Sequence, residues 1–229
     1  MAKAKPQPGP NRFYYLLGAV GLAGIAALVY QVKKPKNVSI PVDVKVAAAD
    51  TAGFRGYLLG SDSAKVEVTE YGDYQCPACE AFESVQFPSI RQQLIETGLV
   101  RWRYRDYPLD IHPHARVAAH AAACGSDQGK YWEMHAIIFD RQGEWSPLRN
   151  AAGKFSDYAK EIGLDQAAYD QCMSSAKYAG RIQASYQESI KLGIPSTPTF
   201  VLNGRMYPGA LPSDSLNALV KALLPPPAK

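Results

Sequence analysis

The stretch at residues 66–79, Val-Glu-Val-Thr-Glu-Tyr-Gly-Asp-Tyr-Gln-Cys-Pro-Ala-Cys, restricts the fold more than any other part of the chain. Val66 and Val68 alternate with Glu67 and Thr69, the two-residue period of a half-buried strand. Pro77 suits the first position of a helix, where the N–H it lacks has no partner to lose. The segment reads as strand, turn and helix start, with Cys76 at or near the N-cap and Cys79 one turn inside. Unpaired N–H groups and the helix dipole favour an anion there, and a C-x-x-C cysteine in that position titrates between about 3.5 and 7.5, against roughly 8.5 for a free thiol. Cys76 is the expected nucleophile and Cys79 the more buried resolving thiol.

Two other uses of such a pair are a structural disulfide and half of a zinc site. Zinc needs a second pair of ligands, and the two remaining cysteines, Cys124 and Cys172, lie far apart with no matched ligand spacing beside them. A redox pair agrees with the strand–turn–helix setting. Glu70 shares strand parity with Val66 and Val68, so it is expected on the apolar face, where desolvation raises a carboxyl pKa and suits it to move the proton of Cys79. At a fraying strand end the same carboxylate would simply be solvated.

The net charge of +4 is unevenly spread: residues 1–49 carry +6 and the rest −2. The folded part is therefore not basic, and there is no electrostatic case for nucleic acid. Residues 13–30 form eighteen consecutive uncharged positions with tyrosines near both ends, just long enough to span a bilayer. The run is longer than the apolar region of a cleaved signal peptide and ends at Lys33 and Lys34. The expectation is a single-pass transmembrane anchor over 13–32, preceded by a cytoplasmic tail at 1–12 and followed by a linker at 33–52. An even cysteine count with a second, widely spaced pair favours an oxidising compartment, which orients the catalytic domain to the periplasm or extracytoplasmic space. The glycines at 18, 21 and 24 make no dinucleotide site, because no strand precedes them.

After the organising strand, residues 77–97 read as a long helix stopped by Gly98, and 99–105 alternate as a strand. Helices are expected near 113–124, 129–141, 152–162, 165–175 and 177–192, punctuated by Gly125, Gly143, Gly163 and Gly193. Cys124 and Cys172 fall in different helices. Bridged, they would close a loop of about 48 residues worth about 4 kcal/mol; otherwise they are two buried thiols. His112, His114, His120 and His135 lack matched ligands and read as structural or solvated. Two prolines lead into a strand ending at Leu202, Asn203-Gly204 is a hairpin turn, and a helix from Ser213 reaches about Leu224.

These motifs together, with Tyr-Arg-Asp-Tyr-Pro-Leu at 104–109, His-Pro-His-Ala-Arg at 112–116, Gln-Gly-Lys-Tyr-Trp at 128–132 and Gly-Ile-Pro-Ser-Thr-Pro-Thr-Phe at 193–200, resemble the DsbA-like thiol:disulfide oxidoreductases of the thioredoxin superfamily. The match runs from about Tyr57 to Leu224. It implies an α/β thioredoxin fold with an inserted helical domain: a first part at 53–110, the insertion at 111–192, and a second part at 193–229 with a Pro-rich tail. It implies a cis Pro198 beside Cys76, Thr197 offering backbone groups to an extended substrate, Glu70 as the buried acid, and Cys124–Cys172 as a structural bridge. No cofactor or metal is implied.

The partners implied are reduced or unfolded secreted proteins, the membrane through the anchor, and a quinone-linked membrane reoxidase. The most oxidising relatives carry histidine between the cysteines, where this chain has Ala78, which argues against extreme oxidising power. The expected function is disulfide formation in secreted or envelope proteins. The alternatives are a reductase or isomerase using the same site, and a copper-binding thiol chaperone, for which Met- or His-rich tracts are missing.

Overall fold

The computed structural model describes residues 10–33 and 38–224, without the side chains of 10–13 and 26–33. It divides into two units, residues 1–36 and 37–229. The first holds one helix, Pro10–Lys33. Among the described residues no helix is long and apolar enough to cross a membrane. This overturns the expected single-pass anchor over 13–32, and with it the membrane localisation and membrane contact built on that anchor. The physical reason lies in composition: glycine at 18, 21 and 24 and alanine at 19, 23, 26 and 27 bury little apolar surface per residue. Residues 1–9 of the expected tail, 34–37 of the expected linker and the prolines at 225–227 lie outside the described residues.

The second unit is built on a five-stranded sheet: β1 Tyr57–Leu59, β2 Val66–Gly72, β3 Val100–Asp106, β4 Thr199–Leu202 and β5 Arg205–Pro208, in the order β1-β3-β2-β4-β5. Only β2 and β3 are parallel, and the helical segment between them is the crossover that parallel strands require. In register, Val66, Val68 and Glu70 of β2 stand beside Val100, Trp102 and Tyr104 of β3. Valine and aromatic side chains alternate onto one face there and pack against Phe82, Phe87, Ile90, Leu94, Phe200 and Leu216. This is the thioredoxin fold with a helical insertion expected from sequence.

The long helix departs from expectation. It runs Pro77–Ala81, turns π over Phe82–Gln86, resumes over Phe87–Ile90 and turns π again over Arg91–Ile95. Pro88 has no N–H to give the carbonyl four residues back, and its ring crowds that carbonyl. The chain widens instead, the Phe87 N–H reaching back to the Phe82 carbonyl.

Between β3 and β4 the chain is helical, with main elements Ala115–Ser126, Tyr131–Asp140, Ala152–Glu161, Gln166–Ser174 and Ala179–Leu192. Gly125 and Gly143 sit inside helices rather than ending them; a Cβ on Gly125 would meet the Lys130 carbonyl at 3.0 Å. Gly193 does end its helix, at φ 70°. Asn203 and Gly204, at φ 47° and 77°, form the two-residue turn between β4 and β5. The last helix, Ser213–Leu223, begins after Pro212, and the Ser213 side chain makes no cap.

Candidate active site

At the C-terminal end of β2 the backbone turns through Asp73, Tyr74 and Gln75 and places Cys76 as N-cap and Pro77 as first residue of the helix. The turn is held by Asp73, whose Oδ1 accepts from the Gln75 N–H at 2.8 Å and whose Oδ2 accepts from the Leu109 N–H at 2.8 Å and contacts His112 Nδ1 at 2.7 Å. Cys76 and Cys79 are both free thiols; Cys76 is 7% exposed and Cys79 fully covered.

The two sulfurs differ electrostatically. A hydrogen bond from the Cys79 thiol, together with the Thr197 contact and the Cys79 and Ala78 amides, lowers Cys76 to about 5 against the opposing effect of burial. Burial pushes Cys79 well up, and the negative charge on Cys76 adds to this. Near neutral pH the reduced pair is thus one thiolate and one thiol. Alkylation of the reduced domain by iodoacetamide should follow a single ionisation near pH 5; a midpoint near 8.5 would remove the basis for a helix-stabilised nucleophile. Because that pKa is depressed on folding, the stabilisation is full above the unfolded thiol value and is lost as pH falls through about 5.

The β4 approach supplies the other wall. The Thr197–Pro198 bond is cis, and Cys76 Sγ lies 3.4 Å from the Thr197 carbonyl oxygen. Glu70 lies in the core as its strand parity predicts, accepting from Trp102 Nε1 at 3.2 Å. Burial, with the Glu83 carboxyl beside it, raises its pKa well above the carboxylate range.

Cys124 and Cys172 are bridged, with S–S 2.03 Å and Cα atoms 5.8 Å apart. Among the described residues, one cluster has metal-ligand proximity, His120 with Cys124 and Cys172. Its sulfurs are committed to the disulfide, so it offers no thiolate ligands.

Three residues near the site escape a reading based on motifs. Glu83 is one helical turn past Cys79, and that spacing was the available signal. His135 arrives from the insertion, with no local signal. His112, expected to be structural or solvated, is pinned on Asp73, whose carboxylate raises its pKa; the negative charge of Cys76 adds to that rise.

A family model described as thioredoxin matches residues 55–222. The chain belongs to the thioredoxin family. The domain is DsbA-like in its fold and motifs. The crystal structure of oxidised BdbD from Bacillus subtilis superimposes with a TM-score of 0.66 at 25% identity, covering 72% of this chain and 91% of that one. In sequence, disulfide bond formation protein D of Bacillus subtilis is 24% identical over 170 residues, 72% of this chain and 75% of that protein. A protein from Salinispora arenicola named Na(+)/H(+) antiporter NhaA 1 is 35% identical over 167 residues, 72% of this chain but 24% of its own length. The DsbA-like chain thus spans about a quarter of that relative.

Proposed function

We propose that the DsbA-like domain works as a dithiol oxidase, forming disulfides in reduced secreted or envelope proteins. The observation that carries this reading is the placement of Cys76 at the N-cap of its helix, against the Cys79 thiol and the amides of Ala78 and Cys79 that lower its pKa, because a stabilised thiolate stabilises the reduced enzyme and makes its disulfide an oxidant. A substrate thiolate attacks Cys76 of the Cys76–Cys79 disulfide. The S–S bond breaks, Cys79 leaves with the electron pair, and Glu70 supplies its proton. A second substrate thiolate attacks the substrate sulfur of the mixed disulfide, releasing oxidised substrate and the Cys76 thiolate.

Thr197, beside the cis Pro198, is read as the backbone rail along which an extended substrate pairs, and Pro198 as the wall that keeps it against Cys76. The reduced pair then passes its electrons to a quinone-linked partner. The Cys124–Cys172 bridge supports work in an oxidising compartment, where such bonds persist.

Equilibration with glutathione buffers tests the direction of flow. The expected potential lies between about −120 and −180 mV; a value near about −270 mV, typical of thioredoxin, would make the domain a reductase.

A further inference from the structure

Between Cys76 and Cys79 the chain has Pro77 and Ala78, neither of which can carry charge, so a side-chain cation acting on the Cys76 thiolate has to come from elsewhere in the fold. One stands close by. His112, from the turn that follows β3, lies with Nδ1 2.7 Å from Asp73 Oδ2; its side chain is 17% exposed and that of Asp73 fully buried. A carboxylate buried without partners is costly, and here three groups meet it: the Gln75 N–H at 2.8 Å, the Leu109 N–H at 2.8 Å and the His112 ring.

Asp73 is also tied to both cysteines. Its carbonyl accepts from the Cys76 N–H at 3.1 Å, and its N–H meets Cys79 Sγ at 3.5 Å. The turn that carries His112 is pinned a second time, by the His114 N–H on Gln75 Oε1 at 2.6 Å. The imidazole is therefore held against the short turn that delivers the nucleophile.

We propose that His112 is the counter-charge of the redox pair: held on Asp73 beside the Cys76 turn, it takes up a proton when the Cys76–Cys79 disulfide is reduced and so stabilises the reduced state. The inference rests on the reading of Cys76 as a thiolate in the reduced domain. Two substrate thiols give up two electrons and two protons. The electrons break the Cys76–Cys79 bond and leave Cys76 as thiolate and Cys79 as thiol. One proton ends on Cys79, and the other ends on His112 instead of in solvent. Because the Asp73 carboxylate holds Nδ1–H, Nε2 is the nitrogen that gains it. When the pair passes its electrons on, His112 gives that proton back.

The charges set the sign. The Asp73 carboxylate raises the His112 pKa, burial opposes it, and the negative charge of Cys76 raises it further. That last contribution exists only while the pair is reduced. By reciprocity a protonated His112 favours the Cys76 thiolate by the same factor. The Cys79 thiol acts more strongly on Cys76, so the effect of His112 is an increment on a thiolate already favoured. The neighbouring charges are engaged elsewhere: Asp110 faces Tyr186 and Arg116, His114 meets the Leu148 carbonyl, and Asp106 of β3 lies in the field of Asp73.

The test is a proton NMR titration of His112 from pH 4 to 9 in the oxidised and the dithiol forms of the full chain. The midpoint should be higher in the dithiol form. At pH 6, where His112 is protonated, His112→Gln should shift the glutathione equilibrium toward the disulfide on the order of fivefold, the effect of two charges interacting through a watery medium. It should also raise the alkylation midpoint of Cys76. His112→Lys, a cation throughout this range, should restore both; a merely structural role would not separate the two substitutions by charge.

A His112 midpoint that is the same in both forms overturns the proposal. A Cys76 midpoint near 5 in the wild type and in both variants removes the role of His112 and leaves the thiolate standing. A wild-type Cys76 midpoint near 8.5 would bring down the thiolate reading and this proposal with it. Should His112→Gln not fold, the titration of the unaltered chain decides alone.

Discussion

Cys76→Ser should reduce the oxidation of a dithiol peptide to background, a loss on the order of 10³-fold or more, because a serine hydroxyl cannot form the mixed disulfide on which the reaction depends. Cys79→Ala should behave differently. Its Cys76 keeps the helix amides but loses the resolving thiol, so when given a disulfide-containing peptide its thiolate should attack that disulfide, release one peptide thiolate and hold the other sulfur as a covalent adduct that disappears with reductant on non-reducing gels. Peptide turnover by Cys76→Ser at wild-type rate would place the chemistry elsewhere. Adducts attached at position 79 would reverse the assignment of roles, although the complete burial of that sulfur makes position 76 the expected point of attachment.

The second large effect concerns stability. Replacing both Cys124 and Cys172 by alanine removes a bridge between residues 48 apart in sequence. The entropy restored to the unfolded chain corresponds to about 4 kcal/mol, which for a domain of this size lowers the melting temperature by roughly 8–16 °C. Thermal unfolding of the double variant checks this. The alkylation midpoint of Cys76 should not move, because the bridge joins helices Ala115–Ser126 and Gln166–Ser174 and donates nothing to that thiolate. An unchanged melting temperature would mean that the unfolded chain is already compact across this loop.

Much of this was legible in residues 66–79 because the physics there is local. Period-2 alternation in β2, proline at the first helical position and a cysteine before it each act within a few residues, and the strand parity that buried Glu70 follows from the same pattern. The turn at Asn203-Gly204 was legible for the same reason. The π turns are less local: apolar spacing predicts one helix over 77–97, whereas Pro88 crowds the carbonyl behind it and widens the turn. His135 and His112 could not be located from spacing, since a contact such as His112 with Asp73 joins residues 39 apart and exists only once β3 and the insertion are in place. In the N-terminal run, uncharged length alone overstates the apolar surface, because glycine and alanine provide little of it.

The unequal covering of the two sulfurs has a kinetic consequence. Every visitor must attach through Cys76, yet Cys79 waits beneath the same bond, shielded from outside competitors and always within reach. A client that brings only one thiol is expelled when Cys79 re-forms the internal ring, and the enzyme returns to its starting state with nothing consumed. Under the proposed oxidase function, only a client that presents a second sulfur before that ejection leaves oxidised, and the buried thiol then acts as a timer that selects paired cysteines over solitary ones.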